Sequence, residues 1–224
     1  MPLAKPTALP EDVDRTTFTC GDDALDVWLR HHALDHQQDR TTNTFVIIDR
    51  PPGRRAGMGD LDTEGLGAEG LGAEGLGAGG LEIEGLEIDP AGADAARSGT
   101  VDSAGAGAGG ADGGRIAGYY CLATAAVERI PGTRRRSRRP TEPVPAMFVG
   151  RLAVDLRYTG RGVGARLVRD AVMRSLTVHR MVGLPLLLAH TPHAAGAAFY
   201  HHLGFRPTRF DPYLHALPLR AAAG

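Results

Sequence analysis

The 224-residue sequence has little of several things that define common protein classes. Its two cysteines, Cys20 and Cys121, are too few for a disulfide framework, and no Cys/His cluster has zinc-finger spacing. A reducing compartment is therefore expected, with no metal centre. Long apolar runs are missing too. Met1 to Val13 carries three prolines and no apolar signal-like stretch, and the run at Leu184 to Ala189 is too short to cross a bilayer. Neither secretion nor a membrane span is expected, which points to a cytoplasmic protein.

Aromatic residues make up only 5% of the chain, and they are unevenly placed. The 59 residues from Ala56 to Gly114 contain no aromatic, one base (Arg97), 12 acids and 19 glycines. Within them the motif Glu-Gly-Leu-Gly-Ala begins at Glu64, Glu69 and Glu74, and decays to Leu-Glu-Ile endings at Ile83 and Ile88. So much glycine carries a large backbone entropy, which one leucine per repeat does not offset, so a disordered insertion over 53–114 is expected. A tolerated loop insertion is preferred here to an acidic tether that folds over a basic domain. The remaining 165 residues have 24 bases against 14 acids, a formal charge of about +10. Residues 1–52 and 115–224 are thus expected to make one basic domain.

Hydrophobic spacing outlines that domain. Leu25, Trp28, Leu29 and Ala33 recur at helical intervals behind Asp22 and Asp23, an N-cap and a first-turn acid. Thr44 to Asp49 is β-rich and stops at Pro51, Pro52 and Gly53, and its partner across the insertion should be Arg115 to Val127. A connector over Pro131 to Pro145 precedes the strand Met147 to Val154. A helix from about Gly162 to before Gly183 buries Val163, Leu167, Val168, Ala171, Val172 and Leu176, with Arg166, Arg169, Asp170 and Arg174 facing away. A strand over Leu184 to Ala189 leads to Thr191 and Pro192, read as N-cap and first helical residue of a helix ending at Gly204. Three prolines confine Phe205 to Leu219 to short or edge strands. The class is α/β, of α+β type, with a central mixed β-sheet flanked by helices.

The most specific local signal lies between a strand and a helix, at Arg157-Tyr158-Thr159-Gly160-Arg161-Gly162-Val163-Gly164-Ala165. Glycines there let the backbone close around an anion, toward which the unbonded first-turn amides and the positive end of the helix dipole are directed. A Walker A loop is excluded for want of Gly-Lys followed by Ser or Thr. A dinucleotide fingerprint fits the letters, but five residues intervene after Val154 and no ribose-binding acid lies about 20 residues on.

Three segments, Arg151 to Asp155, Arg157 to Gly164 and Ala197 to Phe205, in this order and spacing resemble the GNAT N-acetyltransferase superfamily. Leu25 to Leu29, Gly118 to Tyr120 and the arginine run ahead of the strand resemble, more narrowly, the toxins of bacterial GNAT toxin-antitoxin modules. The resemblance implies acetyl-CoA as cosubstrate. Backbone groups of Leu152, Ala153 and Val154 would meet its pantetheine arm. Arg157, Gly160, Arg161, Gly162, Val163, Gly164 and Ala165 would wrap its pyrophosphate. It also implies that Tyr200 protonates the departing thiolate, which suits a phenol with a reference pKa near 10.

No glutamate lies on the strand Met147 to Val154 to serve as base. That leans toward an α-amine acceptor, already partly neutral at pH 7, while Glu128, His190 and His193 stand as water-mediated alternatives. Arg134, Arg135, Arg136, Arg138 and Arg139 form a basic loop suited to nucleic-acid phosphates. The resemblance then implies acetylation of aminoacyl-tRNA as a translation-blocking toxin, with a small DNA-binding antitoxin and a homodimer as further partners. An acetyltransferase of small-molecule or protein amines, and a non-catalytic basic binding module, are the competing readings.

Overall fold

The computed structural model describes residues 4–50, 86–88, 114–129, 143–208 and 211–219. The strands are β1 (Thr7–Ala8), β2 (Asn43–Asp49), β3 (Leu86–Ile88), β4 (Arg115–Arg129), β5 (Val144–Val154), β6 (Leu186–His190), β7 (Arg206–Pro207) and β8 (Leu214–Pro218). The helices are α1 (Asp23–His31), α2 (Ala33–Gln38), α3 (Val163–Val182) and α4 (Ala194–His202). One sheet runs β1-β2-β4-β5-β6-β8-β7, with β3 paired to the far end of β4. Every pairing is antiparallel except β5 with β6. This is the mixed sheet expected from hairpin-joined strands followed by a β-α-β half.

Both faces are packed. Met147, Val149, Leu187 and Ala189 meet Val163, Leu167, Val168 and Ala171 of α3 and Tyr200 of α4 on one face. On the other, Val46, Ile48, Ile116 and Tyr119 meet Trp28, Leu29 and Ala33 of α1 and α2. Asp22 caps α1 as expected, its Oδ1 accepting from the amides of Ala24 and Leu25 at 2.9 and 3.3 Å. β2 pairs with β4 across the insertion, Ile47 opposite Gly118 and Asp49 opposite Arg115.

Several boundaries differ from expectation for identifiable reasons. β5 starts at Val144, and Pro145 fits inside it because the parallel pairing with β6 begins only at Ala146. α4 starts at Ala194, with His193 rather than Thr191 at the N-cap. Thr191 is still held by the sheet side, its amide donating to the Tyr213 carbonyl at 2.9 Å. On α3, Asp170 and Arg174 do not face away. The Tyr120 hydroxyl donates to Asp170 at 2.5 Å, and the Arg174 guanidinium donates to Asp170 at 2.7 Å while stacking 3.9 Å over Phe45. Both sit on the flank of the apolar stripe, within reach of the sheet. Within the insertion, Leu86–Ile88 pairs with Val127–Arg129 of β4, where the decayed repeat alternates leucine, glutamate and isoleucine. The rest of the insertion lies outside the described residues.

Candidate active site

β5 has two unlike halves. From Ala146 to Val149 it pairs with β4 on one side and with Leu186–Ala189 of β6 on the other. The register with β4 then slips: Leu122 faces Val149 and Cys121 faces Arg151, so Gly150 is an extra residue. Such a bulge bends a strand and increases its twist. A Cβ on Gly150 would come within 3.2 Å of the Cys121 sulfur, which favours glycine at the bend. Beyond it, Arg151 to Val154 pair only with β4, and among the described residues nothing pairs with their other edge. The Asp155 amide donates to the Ala117 carbonyl. By alternation, the amides and carbonyls of Leu152 and Val154 face the open side.

Asp155 then anchors the turn. Its fully buried carboxylate accepts from the Thr19 amide at 3.3 Å and from the Arg157 amide at 2.9 Å. It also takes two bonds from the Arg157 guanidinium, at 2.8 and 2.6 Å. The same guanidinium donates to the Thr17 carbonyl at 2.5 Å, so its charge is engaged within the protein. A short 3₁₀ turn over Leu156–Tyr158 follows, and the Tyr158 hydroxyl donates to Asp49 at 2.7 Å. The exposed Arg161 guanidinium lies 5.5 Å over the Tyr158 ring.

Gly160 and Gly162 have φ of +76° and +74°, which explains glycine at both positions. A Cβ at either would meet nothing within 4 Å among the described residues. Gly162 is the N-cap of α3, and no side chain caps the helix. The first helical bond runs from the Arg166 amide to the Gly162 carbonyl, which leaves the amides of Val163, Gly164 and Ala165 available. Gly164 also brings α4 close: its absent Cβ would lie 3.3 Å from Phe199 and 3.6 Å from Val154.

Tyr200 follows Phe199 and faces the sheet instead. It is 6% exposed, with ring centroids 5.4 Å from Phe199, 5.2 Å from Phe205 and 6.2 Å from His215. No described residue hydrogen-bonds its hydroxyl. Burial raises its pKa well above that of free tyrosine, with Cys121 adding to the rise, so the phenol stays protonated. Burial also pushes the Cys121 thiol up to about 11, which makes it a poor nucleophile at neutral pH.

The end of β5, the glycine turn, the start of α3 and Tyr200 therefore converge, whereas Arg157 turns inward to Asp155. Arg134 to Arg139 lie outside the described residues, as does the side chain of Glu128. Sequence reasoning missed Asp155, whose partner Thr19 is 136 residues away. It also missed His215, buried against Tyr200, and Gly196, where a Cβ would fall 2.2 Å from the Thr191 hydroxyl. Glycine in the first turn of α4 was the available signal for the last of these. Among the described residues no helix is long and apolar enough to cross a membrane.

A parallel strand pair that parts at a bulge thus leads, through a glycine turn, into an uncapped helix start suited to an anion. The chain matches, over residues 110–207, the family model described as an acetyltransferase (GNAT) domain. It is 39% identical over 106 residues to a "tRNA-acetylating toxin" of Mycobacterium tuberculosis (strain ATCC 25618 / H37Rv), spanning 47% of this chain and 63% of the relative. It is 24% identical over 117 residues to a "Probable toxin TacT" of Sinorhizobium fredii (strain NBRC 101917 / NGR234), over 48% of this chain and 65% of that one. The matched part is thus under two thirds of either relative. Among solved structures, AtaT complexed with acetyl-methionyl-tRNAfMet matches with TM-score 0.64 at 19% identity, over 97% of this chain and 95% of that one. AtaTR bound with AcCoA matches with TM-score 0.62 at 19% identity, over 96% and 93%. At such identity these structures establish the shared fold.

Proposed function

We propose that the protein transfers acetyl from acetyl-CoA to the α-amino group of an aminoacyl-tRNA, and so acts in the cytoplasm as a translation-blocking toxin. The observation that carries this reading is the open edge of β5, which leads directly into three amides at the uncapped start of α3. That surface suits a ligand with an amide-rich arm and a diphosphate at its end. The relatives' names, one acetylating tRNA and one structure holding acetyl-methionyl-tRNA, support the choice of acceptor.

In this reading the backbone around Leu152, Ala153 and Val154 takes the pantetheine as an added strand would be taken. The amides of Gly162 to Ala165, with Gly160 giving room and Arg161 adding charge, hold the diphosphate. Arg157 shapes that loop through Asp155. When bound, acetyl-CoA supplies an activated thioester. Tyr200, protonated and without a hydrogen-bond partner among the described residues, donates to the sulfur as it leaves. The arginines from Arg134 to Arg139 would contact tRNA phosphates, and a DNA-binding antitoxin and a second copy of the chain complete the assembly.

The experiment is direct. Purified protein, labelled acetyl-CoA and charged tRNA should yield an N-acetylated aminoacyl end, and Tyr200→Phe should slow that transfer by about 10² while leaving acetyl-CoA binding within about threefold. Absence of acetylated product with every charged tRNA would overturn the proposed acceptor, and an undiminished Tyr200→Phe rate would overturn the assignment of the acid.

A further inference from the structure

The proposed reaction has a proton donor for the leaving thiolate but no assigned group to take the proton from the incoming amine. On β6, Ala189 belongs to the cluster that contains Tyr200, whereas Leu188 packs with Leu186 and Leu214 in a separate cluster. Side chains alternate along a strand, so His190 lies on the face opposite Tyr200. It is also the last residue of β6, one position past Ala189, where pairing with β5 ends. The mouth of the gap between the two strands thus has a phenol on one face and an imidazole on the other.

His190 is also oriented. Asp211 sits in a turn in which Thr208 donates its hydroxyl to the Asp211 carbonyl at 2.9 Å, and the Tyr213 amide donates to Asp211 Oδ1 at 2.8 Å. That fixes the carboxylate and leaves Oδ2, which lies 3.6 Å from His190 Nε2. The Tyr213 ring packs edge-on against the imidazole at 6.3 Å. A carboxylate facing Nε2 favours the tautomer with the proton there, and leaves Nδ1 as an acceptor. No described residue occupies that nitrogen, and the imidazole is 45% exposed, so an amine or one bridging water can reach it.

We infer that His190, oriented by Asp211, is the general base that accepts the proton of the attacking amine. This rests on the proposed transfer. As the amine nitrogen bonds to the thioester carbonyl carbon and the carbon–sulfur bond breaks, one amine proton passes to His190 Nδ1 and the Tyr200 hydroxyl proton passes to the thiolate. The imidazolium and the tyrosinate then exchange with solvent, so no proton is gained or lost overall. Asp211 is a positioning residue, and among the described residues the titratable groups in contact with His190 are Asp211 and Tyr213, both from the turn before β8.

The test compares wild type, His190→Gln, Asp211→Asn and, as a control, His202→Gln, whose exposed parent residue ends α4. Acetyl-CoA affinity is measured by calorimetry, single-turnover transfer to charged tRNA as a function of pH, and the His190 ring tautomer by NMR on the protein alone. His190→Gln should lose about 10² in transfer rate and the acidic limb of its pH profile, with acetyl-CoA affinity unchanged. Asp211→Asn should lose about 10-fold and reduce the share of the His190 tautomer protonated at Nε2, because the carboxylate that faces that nitrogen is gone. The control should match wild type. Transfer by His190→Gln within threefold of wild type, or a His190 tautomer indifferent to Asp211→Asn, would overturn the inference and leave the proposed function standing. A wild-type protein that binds acetyl-CoA but acetylates no charged tRNA would overturn both.

Discussion

β5 is a single strand with two environments, and the contrast between them separates structure from function. Its first half, Ala146 to Val149, fills two ladders and two packed faces. Its second half, Arg151 to Val154, fills one ladder among the described residues and leads to glycines with no described atom within 4 Å of an added Cβ. Backbone groups in the first half have partners within the fold, while those facing outward in the second half need a ligand or water. One glycine, Gly150, marks the change. Substitutions in the two halves should therefore fail in different ways.

The largest separation is expected at the turn. Gly162→Asp should lower acetyl-CoA affinity at least about 100-fold by calorimetry, because its carboxylate would compete for the amides proposed to hold a diphosphate. Aspartate tolerates the left-handed conformation better than most residues and complements the helix dipole, so the melting temperature should move by only a few degrees. Leu187→Ala tests the closed half. That side chain is fully buried opposite Met147, so unfolding free energy should fall by about 2–5 kcal/mol in urea, with acetyl-CoA affinity of the folded protein unchanged.

Asp155→Asn should blur the division, since this carboxylate connects both regions. We expect about 1–3 kcal/mol of lost stability, toward the lower end because the Arg157 side chain is 41% exposed, together with weaker acetyl-CoA binding. Were stability to fall with no change in binding, Asp155 would not shape the loop. The smallest effect should come from Asp22→Ala, remote from the gap, which removes the α1 cap and costs about 1 kcal/mol in urea with no change in coenzyme affinity.

The contrast also explains what could be read in advance. The glycine turn was legible because a glycine without a turn or close approach to serve is costly, and its spacing to the α3 stripe is local. The pairing of β2 with β4 was legible because both are β-rich and flank the insertion. Gly150 was not, because a bulge depends on the register of two strands and not on either alone. Asp155, named only as the end of a matching segment, owes its role to Thr17 and Thr19 from a distant part of the chain. Thr191-Pro192 carried a sound helix-start signal, but the bond from Thr191 to Tyr213 and the fit of its hydroxyl beside Gly196 keep it ahead of the helix. The roles of Asp170 and Arg174 depended on Tyr120 and Phe45, which periodicity on α3 does not encode.

Amide hydrogen exchange with and without acetyl-CoA tests the central claim at single residues. With saturating acetyl-CoA, the amides of Leu152, Val154 and Val163 to Ala165 should exchange at least about tenfold more slowly, while those of Ala146 to Val149 stay as they were. Binding of acetyl-CoA with no added protection at Leu152 and Val154, or with protection confined to the closed half of the strand, would contradict the account.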